Sequence, residues 1–104
     1  MSIQTTAVTT TASAIYTSSG DTAVTYCQLT NYSGSSIQAN LFVVPNGSSA
    51  SDNTIAIANL TIASKNSYQI YSGNEKIILA NGDALIANVS ANTAVTSIVS
   101  YTSV

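Results

Sequence analysis

Few side chains here can do proton, metal or nucleophilic chemistry. The 104-residue chain has four acids (Asp21, Asp52, Glu75, Asp83), two lysines (Lys65, Lys76), one cysteine (Cys27), six tyrosines and no histidine or arginine. Acid–base catalysis near neutrality relies on His, or on a carboxylate or Lys whose pKa has been moved. Each acid stands beside Gly or Asn, where it serves turn geometry. Two of them meeting at one end of a sandwich would form a glycosidase-type carboxylate pair; the turn reading is preferred for all four. Cys27 would need a base beside it to act as a nucleophile, and no imidazole exists to serve. Between Tyr26 and Gln28 it reads as a buried structural thiol, and a lone cysteine allows no internal disulfide. Ser is plentiful, but no G-x-S-x-G elbow occurs, and the glycines are too scattered for a phosphate loop. Transition-metal sites want several His or Cys. Calcium could use Asp52 with Asn53, or Asp83 with Asn81, but neither matches a known loop spacing. The expectation is a protein without catalytic residues, cofactor or metal.

Charge narrows the partners. Charged residues make up 6% of the chain and the net charge is −2, against about 25% charged residues in an average domain. Ser, Thr, Asn and Ala take the vacant places. Nucleic-acid affinity rests on neutralised phosphates, and anionic lipid surfaces also attract basic clusters. Two lysines supply neither, so no nucleic acid and no membrane is expected. A surface poor in charge also lacks the usual protection against self-association. Hydrophobic content of 45% speaks against disorder. No stretch approaches a membrane span, and the first residues, Met1 to Thr6, carry neither a basic residue nor an apolar run. Synthesis in a cytoplasm without a signal peptide is therefore expected. Four N-x-S/T triplets, at Asn31, Asn46, Asn59 and Asn88, are what this composition yields by chance.

The elements that must position these residues are strands. Short alternating runs rich in Thr, Val, Ile and Tyr alternate with Gly, Asn and Ser turns. The runs are Ile3 to Val8, Thr11 to Thr17, Thr22 to Asn31, Ile37 to Val44, Thr54 to Ile62 (broken near Ala58-Asn59), Ser67 to Tyr71, Lys76 to Ala80, Ala84 to Ser90 and Thr93 to Ser103. In the third run Ala23, Thr25, Cys27 and Leu29 share one face, with Val24, Tyr26 and Gln28 on the other. In the fourth, Ile37, Ala39, Leu41 and Val43 face a core. Asn81-Gly82, between two apolar runs, predicts a tight hairpin. The connections are too short for crossover helices. One domain over residues 1–104 follows: an all-β antiparallel β-sandwich, jelly-roll or Ig-like, of about eight strands. Its predicted core is Ile37, Leu41, Val43, Ile55, Ile57, Leu60, Ile77, Leu79, Leu85, Val89, Val95 and Ile98. The tetrad Thr-Ala-Val-Thr recurs at residues 6–9, 22–25 and 93–96, at spacings too unequal for a solenoid; it suits several strands, and could also mark Thr-rich edges that pair between subunits.

Four segments carry a resemblance. They are Tyr16 to Thr25 (YTSSGDTAVT), Leu29 to Gly34 (LTNYSG), Leu41 to Gly47 (LFVVPNG) and Leu79 to Asp83 (LANGD). Together they resemble the small Ser/Thr/Asn-rich β-sandwich virion proteins of tailed bacteriophages, notably those of aquatic and cyanobacterial hosts. The resemblance implies a non-enzymatic, multicopy assembly role in the virion. It transfers no functional residue, since the shared positions read as turns and core. The favoured reading is a capsid decoration (cement) protein that binds the lattice of the major capsid protein, as a trimer or ring of copies. A tail, neck or fibre module is the second reading, and a glycan-binding or adhesin module the third, since all-β modules stack sugars on exposed aromatics. The residues offered as an interaction surface are Tyr32, Ser33, Gly34, Asn46, Gly47, Tyr68 and Tyr71.

Overall fold

The computed structural model describes residues 2–70 and 77–104. Among these, nine strands and no helix form: β1 (Ser2–Val8), β2 (Ser13–Thr17), β3 (Thr22–Asn31), β4 (Ile37–Val44), β5 (Ile55–Ile62), β6 (Ser67–Ile70), β7 (Ile77–Leu79), β8 (Ala84–Val89) and β9 (Val95–Ser103). They make two antiparallel sheets. One has the order β1-β9-β3-β6, with β7 also on β3; the other is β2-β8-β4-β5. β6 pairs with Cys27–Thr30 and β7 with Thr22–Val24, so both occupy the same edge of β3.

This order is that of a single long hairpin rolled up. β4 pairs with β5, β3 with β6 and β7, β2 with β8, and β1 with β9. The pairs are nested, and successive pairs fall in alternate sheets. β9–β3 and β8–β4 then join neighbouring turns of the roll. The result is a jelly roll, with β6 and β7 counted as one edge. The Asn81-Gly82 turn is correspondingly not a hairpin. It carries the chain from β7 in one sheet to β8 in the other, and only Gly82, at φ +88°, has positive φ there. A type I′ hairpin needs positive φ at both central residues.

Alternation sets the core, displaced at bulges in three strands. Cys27, Leu29, Leu41, Leu85, Val95 and Val99 fill the space between the sheets. In β3 the register against β9 slips between Val24 and Tyr26, leaving Thr25 as a bulge. The extra residue restores Val24 to the inner side with Cys27 and Leu29, all essentially buried. The sequence alternation instead put Val24 opposite Cys27. A second bulge, at Ile15 in β2, turns both Ile15 and Tyr16 inward. β5 slips twice against β4, and Asn59, at φ +54°, stands at the first slip, where the break was expected.

Of the predicted core, Ile37, Leu41, Leu79, Leu85, Val89 and Val95 are buried, and Val43, Ile57, Leu60 and Ile77 pack against it half-buried. Ile55 and Ile98 are corrections. Ile98 aligns with Thr5 and Gln28 on the outer face of its sheet, and Ile55 aligns with Phe42, a register position away from the inward Leu41. Two of the Thr-Ala-Val-Thr tetrads pair with each other, Val8 facing Val95 and Ala7 facing Thr96. The third begins β3 at the opposite end, against Tyr101–Ser103.

Leu85→Ala should cost about 2–5 kcal/mol in urea unfolding, because a fully buried side chain leaves a cavity. Ile98→Ala, on the outer face, should cost about 1 kcal/mol or less.

Candidate interaction surface

Rolling the hairpin gathers the loops at two ends. At one end β3 runs into β4, β5 into β6 and β8 into β9. Backbone groups here leave the ladders and need other partners. Asn31, fully buried, supplies several at once. Its Nδ2 donates to the carbonyls of Ile62 (2.9 Å), Ser35 (2.8 Å) and Ala63 (3.3 Å). Its Oδ1 accepts from the backbone N–H of Ser33 (3.0 Å) and from the Ser33 hydroxyl (2.7 Å). The Ser64 hydroxyl donates to the Ser33 carbonyl (2.7 Å), and Lys65 Nζ to the Tyr32 carbonyl (2.7 Å). This knot fixes the turn that carries Tyr32, which is 43% exposed; Tyr68, 42% exposed, stands one residue into β6 at the same end. Ser33 is tied into the knot by these bonds. Gly34 has open space around it and no positive φ, so neither space nor backbone geometry requires glycine there.

The other end gathers the turn before β3, the turn after β4 and the turn between β7 and β8. A chain of hydroxyls crosses it. Ser18 Oγ donates to the Gly20 carbonyl (2.6 Å), so the 2.5 Å contact with Thr22 must be donated by Thr22, which in turn accepts from Tyr16 (3.3 Å). Ser18 also exchanges two backbone bonds with the facing turn, its N–H to Asp83 and its carbonyl to Gly82. Asp83 clasps two turns. Its Oδ1 accepts from the backbone N–H of Asn46 (2.8 Å) and its Oδ2 from that of Ala80 (3.0 Å). Asn46 and Gly47 form the centre of a turn closed by Ser48 N–H to the Pro45 carbonyl (2.9 Å), with Gly47 at φ +87°, the left-handed geometry a type II turn demands at that position.

The expected interaction residues thus do not converge. Tyr32, Ser33, Gly34 and Tyr68 are brought to one end, Asn46 and Gly47 to the other, and Tyr71 lies outside the described residues. Of the acids among the described residues, Asp21 and Asp83 share one end, where both Asp83 oxygens are taken by backbone N–H groups, and Asp52 lies on the exposed loop before β5; Glu75 lies outside the described residues. Among the described residues no three metal-ligating side chains come together. Cys27 is fully buried, and desolvation pushes its thiol from 9.0 to about 12.

Sequence reasoning passed over two edge residues. Ile3 on β1 and Ile78 on β7 are 69% and 61% exposed, and they lie on opposite edges of the same sheet. β1 pairs with β9 residue for residue without a bulge and carries no charge. Gln4 Nε2 (2.9 Å) and the Thr6 hydroxyl (3.4 Å) donate across the corner to the Ile15 carbonyl in β2. Among the described residues the sheet faces carry no charge, and side chains on them bond to one another. Tyr26, Gln28 and Thr30 form a side-chain row along β3, the tyrosine hydroxyl donating to Gln28 Oε1 and Gln28 Nε2 to Thr30 (2.8 Å). Across the other sheet Asn40 accepts from the Asn59 N–H (2.7 Å) and donates to Asn88 (2.9 Å). No protein-family model, curated protein or solved structure matches this chain.

Asn31→Ala should cost about 2–3 kcal/mol, the penalty for orphaned buried partners. Asn31→Asp should be worse near neutral pH and partly recover in acid, since oxygens facing three carbonyls fit only when one is protonated; thermal melts at several pH values read both. Native Cys27 should resist thiol reagents that label it at once in denaturant. Its folded pKa lies above the unfolded one, so its contribution is intact below about pH 9 and is lost as pH rises toward about 12. Cys27→Ala should flatten that part of the stability curve.

Proposed function

We propose that the protein is a non-enzymatic structural component of a phage virion, a decoration (cement) protein that docks on the major capsid lattice as a trimer or ring. The observation that carries the oligomeric part is the placement of Ile3 and Ile78 on opposite edges of one sheet. A contact between two different edges is heterologous, and heterologous contacts close into rings when the rotation allows. An uncharged edge strand without bulge or proline favours such strand addition. The virion assignment itself is supported by the resemblance of the turn segments and by the jelly-roll order, an architecture that also serves lectin domains. Neutral hydroxyl and amide groups would hydrogen-bond the shell through a wet interface, and many copies would add weak contacts into a stable coat.

A second reading keeps the third expectation alive, because Tyr32 and Tyr68 are both exposed at one end beside Lys65 and Ser33. Half-exposed tyrosines over a rigid knot suit stacking against a sugar ring. A tail or fibre location differs from the shell by copy number.

Mass spectrometry of purified particles should find the chain at hundreds of copies if it coats a shell. About three to twelve copies would place it in the tail machinery. Sedimentation of the isolated chain should show a small closed oligomer. Ile3→Lys or Ile78→Lys alone should weaken association roughly tenfold or more, the loss of one buried isoleucine, while leaving the melt nearly unchanged. A chain that stays monomeric at high concentration and is missing from the particles would end the virion reading. Glycan-array binding that disappears in Tyr32→Ala and Tyr68→Ala would support the second.

A further inference from the structure

The sequence holds two Asn-Gly pairs, Asn46-Gly47 and Asn81-Gly82, and the fold treats them unequally. At Asn-Gly the absence of a side chain on the second residue lets its backbone nitrogen reach the asparagine carboxamide. At the second pair this approach is blocked. The Gly82 N–H is engaged by the Ser18 carbonyl at 2.9 Å, and the Asn81 Oδ1 accepts from the Gly20 N–H at 2.8 Å. Nucleophile and electrophile are both held in bonds that bind two loops together. At the first pair both residues are exposed. Among the described residues neither the Gly47 N–H nor the Asn46 carboxamide has a hydrogen-bond partner; the carboxamide only rests against Gly82, within 2.6–2.9 Å of where a Cβ would stand.

We infer that Asn46 is a self-modifying site, which deamidates in the native protein while Asn81 is protected. The Gly47 nitrogen gives up its proton to solvent and attacks Asn46 Cγ. The new N–C bond closes a succinimide, the Cγ–Nδ2 bond breaks, and ammonia leaves with a proton taken back from solvent. Water then opens either ring bond, giving aspartate or isoaspartate at position 46. The product carries a new carboxylate beside Asp83, whose Oδ1 accepts from the Asn46 backbone N–H. Like charges on neighbouring groups repel, so the conversion loosens the clasp that joins the turn after β4 to the turn before β8. Either pair converts in an unfolded chain; only the folded chain distinguishes them. Residue 46 is thus a position where age writes a charge onto a nearly neutral surface.

The test is peptide mapping of the intact chain after incubation in warm, mildly alkaline buffer, native and in urea. A mass gain of a single dalton should accumulate at residue 46 first. Conversion at Asn81 should be roughly thirtyfold slower in the native protein, the factor for breaking two hydrogen bonds of ordinary net strength, and the two rates should converge in urea. Equal native rates, or an Asn46 inert in the fold but reactive in urea, would overturn the assignment. For the repulsion, Asn46→Asp should melt below Asn46→Ser at low ionic strength, with the gap closing in high salt. Identical melts at both salt concentrations would remove that part.

Discussion

The carboxamide of Asn31 answers the main difficulty of this fold. A jelly roll changes sheets at nearly every connection. Among the described strands only β4–β5 and β6–β7 are successive strands of the same sheet, and the remaining connections meet at the two ends. Backbone groups there leave the ladders, and burying them unpaired costs as much as a lost hydrogen bond. Proteins with ordinary charge content can use Arg or Asp for such work. This chain has almost none to spend, and it uses neutral side chains with several bonding positions. Asn31 meets three carbonyls and a serine at one end; Tyr16, Thr22 and Ser18 form a directed hydroxyl chain at the other. Among the described residues no buried side-chain nitrogen or oxygen is left without a partner. A fold held this way depends little on salt, because neutral hydrogen bonds are not screened as ion pairs are.

What the sequence disclosed follows the same division. Strands and their order along the chain were legible, because Thr, Val and Ile runs between Asn, Gly and Ser turns carry a period of two. The sandwich followed from the short connections. Faces were legible only where the period is unbroken, as in β4. In β3 the bulge at Thr25, opposite β9, exchanges faces midway, and nothing in the local sequence distinguishes that threonine from its neighbours. Asn81-Gly82 shows the converse limit. The pair correctly marked a reversal, but whether a reversal stays in one sheet is decided by partners far away in sequence. The recurring Thr-Ala-Val-Thr makes the point again. One copy pairs with another across β1 and β9, while a third lies at the far end of β3.

The candidate surface was less legible than the fold. Turn residues were chosen for exposure, and exposure alone says nothing about neighbourhood. Rolling the hairpin separates Tyr32 from Asn46 by the length of β4, and brings Tyr32 and Tyr68 to the same end. Asn31 read only as the last residue of the third β run, yet it is the most connected buried polar residue at its end. A clue was present in its position, at the last residue of an alternating strand and immediately before a Ser-Gly-Ser turn whose backbone groups needed partners. Ile3 and Ile78 escaped notice for a different reason. In sequence they belong to ordinary β runs, and only the strand order shows that both runs are edges.

That edge placement bears on how the proposed assembly could form without indiscriminate aggregation. A large patch on one face would drive indiscriminate aggregation. In the proposed assembly, single isoleucines on opposite edges, separated by a hydrogen-bonded neutral face, would give each copy one weak adhesive point on either side. Two such points would permit a closed ring, in which both edges of that sheet are covered, or an open filament, in which the end copies keep one bare. Closure is favoured where the right-handed twist of the joined sheets brings the last edge back to the first. The corner bonds from Gln4 and Thr6 to Ile15 then have a further role. They hold β1 against β2, so in the proposed assembly the edge would meet a neighbour at a fixed angle, which is what separates a ring from a fibre.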